Sequence, residues 1–428
     1  MLQPHEEDRF HNWSIVAAAF IILFVAAGPR LTFGNFIKPL TENFGWSMGT
    51  ISIAGSLNTL FFGLGLPIAG WMVNLFGPRK VLLITLSMYG LGTMSLALLS
   101  NVWQLYLIFG VLVGMSFGAS SIIAVPTLVS YWFQKRRGVT LGISFIGLAA
   151  GQLVLVPLSM DLILNIGWRF SYLFLGLLVL GVAVPIAWRF AKEKPLAQDS
   201  VVGKASTASR VDAMPVRSKV HFTWFSGLKT YFGTKEFWLL GVSYFVCGST
   251  VNLISVYYVP LAGHLGLGEK VGANALGLIG GVSIAGVYLG SYFSDKVGRI
   301  TPMALLYIIR AIGFFSIIFA RSEAMLYVSS FLIGLSFLAT APLVTGLIAD
   351  IYGPAKMATA LAAVNLGHQL GGTMSIYLTG IVFDKIGSYY WPILVSGLML
   401  LLASFVSFLI KEHPSIPWNS TLPGEENR

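Results

Sequence analysis

Apolar stretches of about twenty residues recur along this chain, and they dictate what it can fold into. They run near 14–39, 50–73, 80–99, 103–130, 139–163 and 170–190, and again near 237–263, 274–294, 302–320, 324–349, 357–383 and 391–410. At roughly 1.5 Å per residue, a helix of about twenty residues matches the hydrocarbon core of a bilayer. Within that core every backbone N–H and C=O must be satisfied inside the protein, so only helices and closed barrels span it. The stretches are about twice the length of a barrel strand. The pattern therefore predicts an all-α membrane protein with twelve transmembrane helices. Hydrophobic residues make up 56% of the chain and charged residues 10%, against roughly 25% charged in a soluble domain. The expected surroundings are thus a lipid bilayer, not water alone. No phosphate-cradling loop and no metal-ligand spacing interrupts the pattern, which argues against an ATP-driven pump or other enzyme and gives no cofactor to expect. The first dozen residues hold Glu6, Glu7, Asp8 and Arg9, an acidic rather than a basic leader, so the first span is expected to be retained.

The formal net charge is +10. In a soluble chain that could suggest nucleic acid, but here the placement of the charges explains it, and no nucleic-acid partner is expected. With the amino terminus set inside, the inner segments carry Arg79 and Lys80, Lys135, Arg136 and Arg137, and the run of basic residues from Arg189 to Lys235. The outer loops carry only Lys38, Arg169, Lys270, Arg321 and Lys385. The positive-inside bias then puts both termini in the cytoplasm. The one cysteine, Cys247, lies in the seventh span, cannot form an intrachain disulfide, and is expected to pack as a small hydrophobe.

Composition shifts sharply at 192–235, where Ser, Lys, Arg and Pro replace large apolar residues. The division expected is a bundle over 1–191, a cytoplasmic linker over 192–235, and a second bundle with its tail over 236–428. Within the linker, Trp224, Phe225, Leu228, Tyr231 and Phe232 recur at helical spacing, which fits either a short interfacial helix or the flank of the seventh span. The halves also echo each other. Asn74, Gly77, Arg79 and Lys80 after the second span match Asp295, Gly298 and Arg299 after the eighth. Gly151-Gln152-Leu153 in the fifth span is similar to His368-Gln369-Leu370 in the eleventh. Such a six-plus-six duplication implies two pseudo-symmetric bundles with a substrate site between them near the midplane. It also makes Asn74, Arg79, Lys80, Asp295 and Arg299, at inner helix ends, candidates for gating.

Arg30 follows Gly28 and Pro29 inside the first span. A guanidinium keeps its proton in any protein setting, and holding it near the bilayer centre costs about 3 kcal/mol on insertion scales and on the order of 10 in simulations. It must face a wet cavity or a partner, or else snorkel to the interface. Arg310 sits mid-way along the ninth span, where it can answer polar groups of its own bundle or touch substrate. His368, flanked by Asn365 and Gln369, can be a ligand, a proton carrier or a structurally satisfied ring. In the seventh span Ser249, Asn252 and Ser255 step by three residues, with Tyr257 and Tyr258 beyond, a stripe that lines water or glues helices. Asn58 and Gln152 read as packing or gating groups. Acids such as Asp161, Asp295 and Asp350 fall at span ends, so a cationic substrate has no evident countercharge and an anion is favoured. Arg30, His368, Asn252, Tyr257 and Arg310 are accordingly the candidate substrate-binding residues.

The short loop with glycines, an amide or acid and a basic pair, present at matching places in both halves, resembles the signature of the major facilitator superfamily. That resemblance implies twelve helices in two six-helix bundles, spans one, four, seven and ten around the cleft, a peripheral ninth span, and transport by alternating access. More finely, Trp132-Phe133-Gln134-Lys135-Arg136-Arg137-Gly138 and the small residues that follow resemble the monocarboxylate transporters and bacterial oxalate/formate carriers. Gly28-Pro29-Arg30-Leu31-Thr32-Phe33 is similar to the place where monocarboxylate transporters carry a lysine that binds carboxylate and proton. The chain departs from that group in having no charge between Leu276 and Ser294, and it offers His368 where oxalate-type carriers use a lysine. The resemblance implies a monomeric secondary transporter of small organic anions, chiefly monocarboxylates, in a bacterial inner membrane, running by proton symport or by anion exchange. An exporter of drugs or other toxicants and a transport-inactive sensor are the alternatives.

Overall fold

In a computed structural model the described residues are 4–133, 137–191, 231–352 and 354–411, with side chains omitted at 4–12, 137, 354–356 and 358. Eleven helical stretches are long and apolar enough to cross a membrane: Trp13–Phe44, Met48–Phe76, Pro78–Leu98, Val102–Trp132, Gly138–Asn165 and Trp168–Phe190, then Lys235–His264, Glu269–Val297, Ile300–Ile318, Glu323–Tyr352 and Tyr390–Phe408. Between the last two lies Pro354–Ile386, 33 residues long, in which Asn365, His368 and Gln369 dilute the apolar character. In chain order these are spans 1 to 12, in agreement with the apolar pattern. The interfacial helix considered at 224–232 falls mostly outside the described residues.

Several spans depart from a regular α-helix, span 6 by a π-helical segment at Val179–Ala183. Span 1 is interrupted at Thr32, between helices Pro4–Leu31 and Phe33–Phe44. The cause is Pro29, which has no N–H to return to the preceding turn and whose ring crowds it. Span 4 widens into π-helical segments at Leu105–Val113 and Gly118–Ala124. Span 10 is interrupted at Leu338 and Ala339, which separate Glu323–Phe337 from Thr340–Tyr352.

Packing resolves the chain into two compact units, and the boundary passes through spans 7, 8 and 11. The first contains spans 1 to 6 together with 252–281 and 373–389; the second contains the rest of the described carboxyl-terminal half. Both use small residues to bring backbones together. In the first, a Cβ on Gly151 of span 5 would strike the Phe24 carbonyl of span 1. In the second, a Cβ on Gly248 of span 7 would strike the His368 carbonyl of span 11. Span 1 thus meets span 5 as span 7 meets span 11, which is the duplication read from the sequence.

One end of the first unit is tightly knit. Ser47 caps span 2 by accepting from Thr50 N at 3.2 Å, and the two preceding amides, Met48 N and Gly49 N, donate to the Asp384 carboxylate at 2.9 and 2.7 Å. The helical bonds begin with Ile51 N donating to Ser47 O at 3.1 Å, so the free amides of Met48, Gly49 and Thr50 are all satisfied. Close by, Tyr257 OH donates to Ile376 O at 2.6 Å and bonds Ser52 Oγ. Ion pairs Lys38–Glu269 at 2.6 Å and Lys270–Asp161 at 2.8 Å tie spans 1 and 5 to the start of span 8.

Candidate functional site

Arg30 lies in the last turn of helix Pro4–Leu31, next to Pro29 and just before the interruption at Thr32. Tyr89 of span 3 donates its hydroxyl to the Ala26 carbonyl at 2.7 Å, fixing the turn from which Arg30 projects. Arg30 is half-buried. Its Nε donates to Asn58 Oδ1 at 3.1 Å, and its Cζ lies 4.5 Å from the Phe62 ring centre and 5.1 Å from that of Phe117. Asn58 in turn donates Nδ2 to the carbonyl of Phe109 at 2.7 Å, within the first π-helical segment of span 4. Among the described residues no carboxylate pairs with Arg30, and its two terminal nitrogens have no protein acceptor. A guanidinium has five N–H donors in a fixed fork. Here the Nε donor is committed, the rings supply cation–π stabilisation of about 0.5–2 kcal/mol each, and the two terminal nitrogens are left without an acceptor among the described residues.

The remaining candidates take different places. In the first unit Asn252 is buried and accepts from Thr59 Oγ1 at 3.4 Å, beside Asn58 in sequence. Tyr257 is 1% exposed, and its hydroxyl is engaged by Ser52 and Ile376. In the second unit His368 is half-buried, its Nδ1 lies 3.3 Å from Gln369 Nε2, and its ring centre lies 4.6 Å from that of Tyr244. Arg310 is 1% exposed and fully engaged. Nε donates to Ser336 Oγ at 3.0 Å, one terminal nitrogen donates to Thr250 Oγ1 at 3.2 Å and Cys247 Sγ at 3.3 Å, and the other donates to the carbonyls of Ser336 and Phe337. Cys247 is buried as expected, but among polar neighbours, with Thr340 Oγ1 at 3.2 Å as well.

Of the gating candidates, Arg79 donates to the Trp188 carbonyl at 3.0 Å, and Arg299 pairs with Asp350 of span 10. Asn74, Lys80 and Asp295 are exposed. Sequence reasoning missed Phe62 and Phe117, which look like ordinary apolar positions. It also passed over Asp384, whose Phe-Asp-Lys-Ile setting at a span end reads as a solvated charge. Asn58 was visible as a lone amide inside span 2; what it holds was not.

Comparison with known proteins fits this geometry. The family model described as Major Facilitator Superfamily matches residues 19–374 and 282–426. The chain is 25% identical over 418 residues to the oxalate:formate antiporter of Oxalobacter formigenes, covering 94% of this chain and 90% of that protein. It is 23% identical over 421 residues to monocarboxylate transporter 12-B of Danio rerio, covering 94% and 87%. Among solved structures, the nucleoside transporter NupG superposes with a TM-score of 0.75 at 11% identity, covering 94% of this chain and 99% of that one. Twelve membrane-length helices, a duplicated half and a family match across most of the sequence lead to one conclusion: the chain belongs to the Major Facilitator Superfamily of membrane transporters.

Proposed function

We propose that this transporter carries small organic anions, chiefly monocarboxylates, by alternating access, with Arg30 as the electrostatic anchor. The observation that carries the reading is the state of Arg30: charged, half-buried, held through Nε, and offering two terminal nitrogens that no described residue takes up. A planar carboxylate matches that forked edge with two parallel N–H···O bonds. The names of two relatives, a monocarboxylate transporter and an oxalate:formate antiporter, support the same class. Phe62 and Phe117 beside the guanidinium favour a small anion with an apolar tail.

The guanidinium cannot cycle a proton. In a symport mode the proton therefore rides on His368 or on the substrate itself, and without such a carrier the transporter exchanges one anion for another. Asn252 contributes a polar wall near Thr59. Tyr257, with Ser52 and Ile376, belongs to the contacts that close one end. Asn74, Arg79 and Lys80 in the first unit and Asp295 and Arg299 in the second are the candidates for gating at the inner side, and the protein works as a monomer in a bacterial inner membrane with both termini cytoplasmic. Purified protein in liposomes tests the reading. Uptake or counterflow of formate, acetate, pyruvate and lactate, mutually competing and weakened roughly thirtyfold in affinity by Arg30→Gln, is the expected result. Transport of none of them, or undiminished transport by a folded Arg30→Gln variant, overturns it.

A further inference from the structure

The contacts around Arg30 assign a role to a residue that chemistry alone would leave as packing. Resting on the anion reading above, we propose that Asn58 is the positioning residue of the site: it fixes the orientation of Arg30 and keeps its charge unspent, so that the anion is met end-on by the two terminal nitrogens. Three observations combine.

First, the amide can point only one way. Its Nδ2 lies 2.7 Å from the Phe109 carbonyl, which accepts and cannot donate, so Oδ1 must be the atom 3.1 Å from Arg30 Nε. A side chain at this position has to donate on one side and accept on the other. Leucine of similar volume does neither, and aspartate would set a carboxylate oxygen against a carbonyl.

Second, the contact is neutral. A carboxylate here would pair with the guanidinium and cancel the charge that draws the substrate, whereas an amide oxygen satisfies one N–H and leaves the full positive charge in place. Among the described residues no Asp or Glu pairs with Arg30, so no counterion within the protein cancels its charge.

Third, the support behind Asn58 is rigid. It is 3% exposed, and a Cβ on Gly114 of span 4 would sit 2.6 Å from the Asn58 carbonyl, so spans 2 and 4 touch backbone to backbone at this residue. The acceptor, Phe109, belongs to a π-helical segment, a geometry that recurs at functional sites. With Nε taken and two rings beside Cζ, side-on approach through Nε is closed and the end-on edge remains.

The test uses full-length protein in detergent and liposomes, with formate, acetate, pyruvate and lactate as probes. Asn58→Ala should raise the half-saturating concentration of whichever anion is carried by roughly tenfold, as expected for a lost hydrogen bond to a charged group. Its maximal rate should be nearly kept. In an Arg30→Gln background the same substitution should change affinity no further, because Asn58 acts through Arg30. A merely structural role predicts instead equal losses in both backgrounds, and that result overturns the assignment. A ligand-independent measurement guards against a variant that does not fold. In protein labelled with ¹⁵N-arginine, the Arg30 Nε–H, identified by its absence in Arg30→Lys, should exchange slowly with solvent. Fast exchange in the unsubstituted protein overturns the contact whatever the anion does. If the unsubstituted protein takes up none of the probes, the anion reading falls and this role falls with it; if it takes them up and Asn58→Ala is indistinguishable from it, the role of Asn58 alone falls.

Discussion

Arg30 and Arg310 are the same side chain inside two apolar spans, and the protein spends them in opposite ways. Arg310 gives its donors to Ser336, Thr250, Cys247 and the carbonyls of Ser336 and Phe337. Those carbonyls end the first helix of span 10, where the chain breaks at Leu338 and Ala339. A helix carboxyl end carries roughly half a negative charge and unsatisfied acceptors, so the break itself serves as the counterion. Arg30 sits beside an interruption as well, but next to Pro29, whose missing N–H removes a donor rather than exposing a set of acceptors. It finds one amide and two rings, and its outer edge stays unspent. The lesson is that an intramembrane arginine is functional or structural according to how many of its donors the protein takes up.

The largest effect should come from the structural arginine. Arg310→Met keeps the volume but leaves the end of a broken helix without donors in an apolar setting, a loss on the order of 3 kcal/mol. Thermal unfolding in detergent should move down more than for any other substitution named here. The folded fraction should bind anion with unchanged affinity. Arg310→Met that melts like the unsubstituted protein would show that the carbonyls of Ser336 and Phe337 do not depend on it, and the comparison would break on that side.

Next comes Arg30, the proposed anion anchor, with the signature reversed. Arg30→Gln removes a charge-assisted contact worth about 2 kcal/mol, roughly thirtyfold in anion affinity. Melting should stay the same or rise, since one buried charge is gone. Arg30→Lys should retain part of the binding, as a point charge without the fork. Thermal stability and titration of pyruvate or lactate on the same preparations check both halves. A fall in stability that parallels the loss of binding would make Arg30 a second structural arginine.

Both arginines could be found by reading the chain, because a cation in an apolar run is conspicuous. Their roles could not. Pro342, just after Ser-Phe-Leu-Ala-Thr at 336–340, announces a break, but nothing local says that Arg310, 26 positions before Ser336, answers it. The π-helical segment that offers Phe109 to Asn58 likewise has no composition of its own, since its residues would be equally at home in an α-helix. What was legible follows from rules that act along the chain: span length, the duplicated loops, the proline before Arg30. What was not legible depends on groups far apart in sequence, and Asp384 is the extreme case, bonding amides more than 330 positions away.

That contact gives the smallest expected effect and sharpens the comparison most. If Arg30 anchors an anion as proposed, its surroundings must open at one end, whereas those of Arg310 have no such need. The contacts at the tightly knit end of the first unit should therefore be several and individually weak. Asp384 holds the first two amides of span 2 with an ionic and a hydrogen-bonding component, together worth about 1 kcal/mol. Asp384→Asn keeps one acceptor and loses the charge; Gly49→Ala places a methyl 2.6 Å from the carboxylate oxygen and should displace it. Either change should shift the population towards opening at that end by about fivefold. A cysteine at Ser56, now buried with its hydroxyl on the Thr373 carbonyl at 3.0 Å, reports the shift as faster maleimide labelling. The native Cys247, at 1% exposed, should stay silent throughout. Labelling at 56 that ignores both substitutions would mean that Asp384 only caps a helix. An accelerated reaction at Cys247 would mean that the surroundings of Arg310 open too, and the contrast between a spent and an unspent arginine would then no longer mark which part of the protein moves.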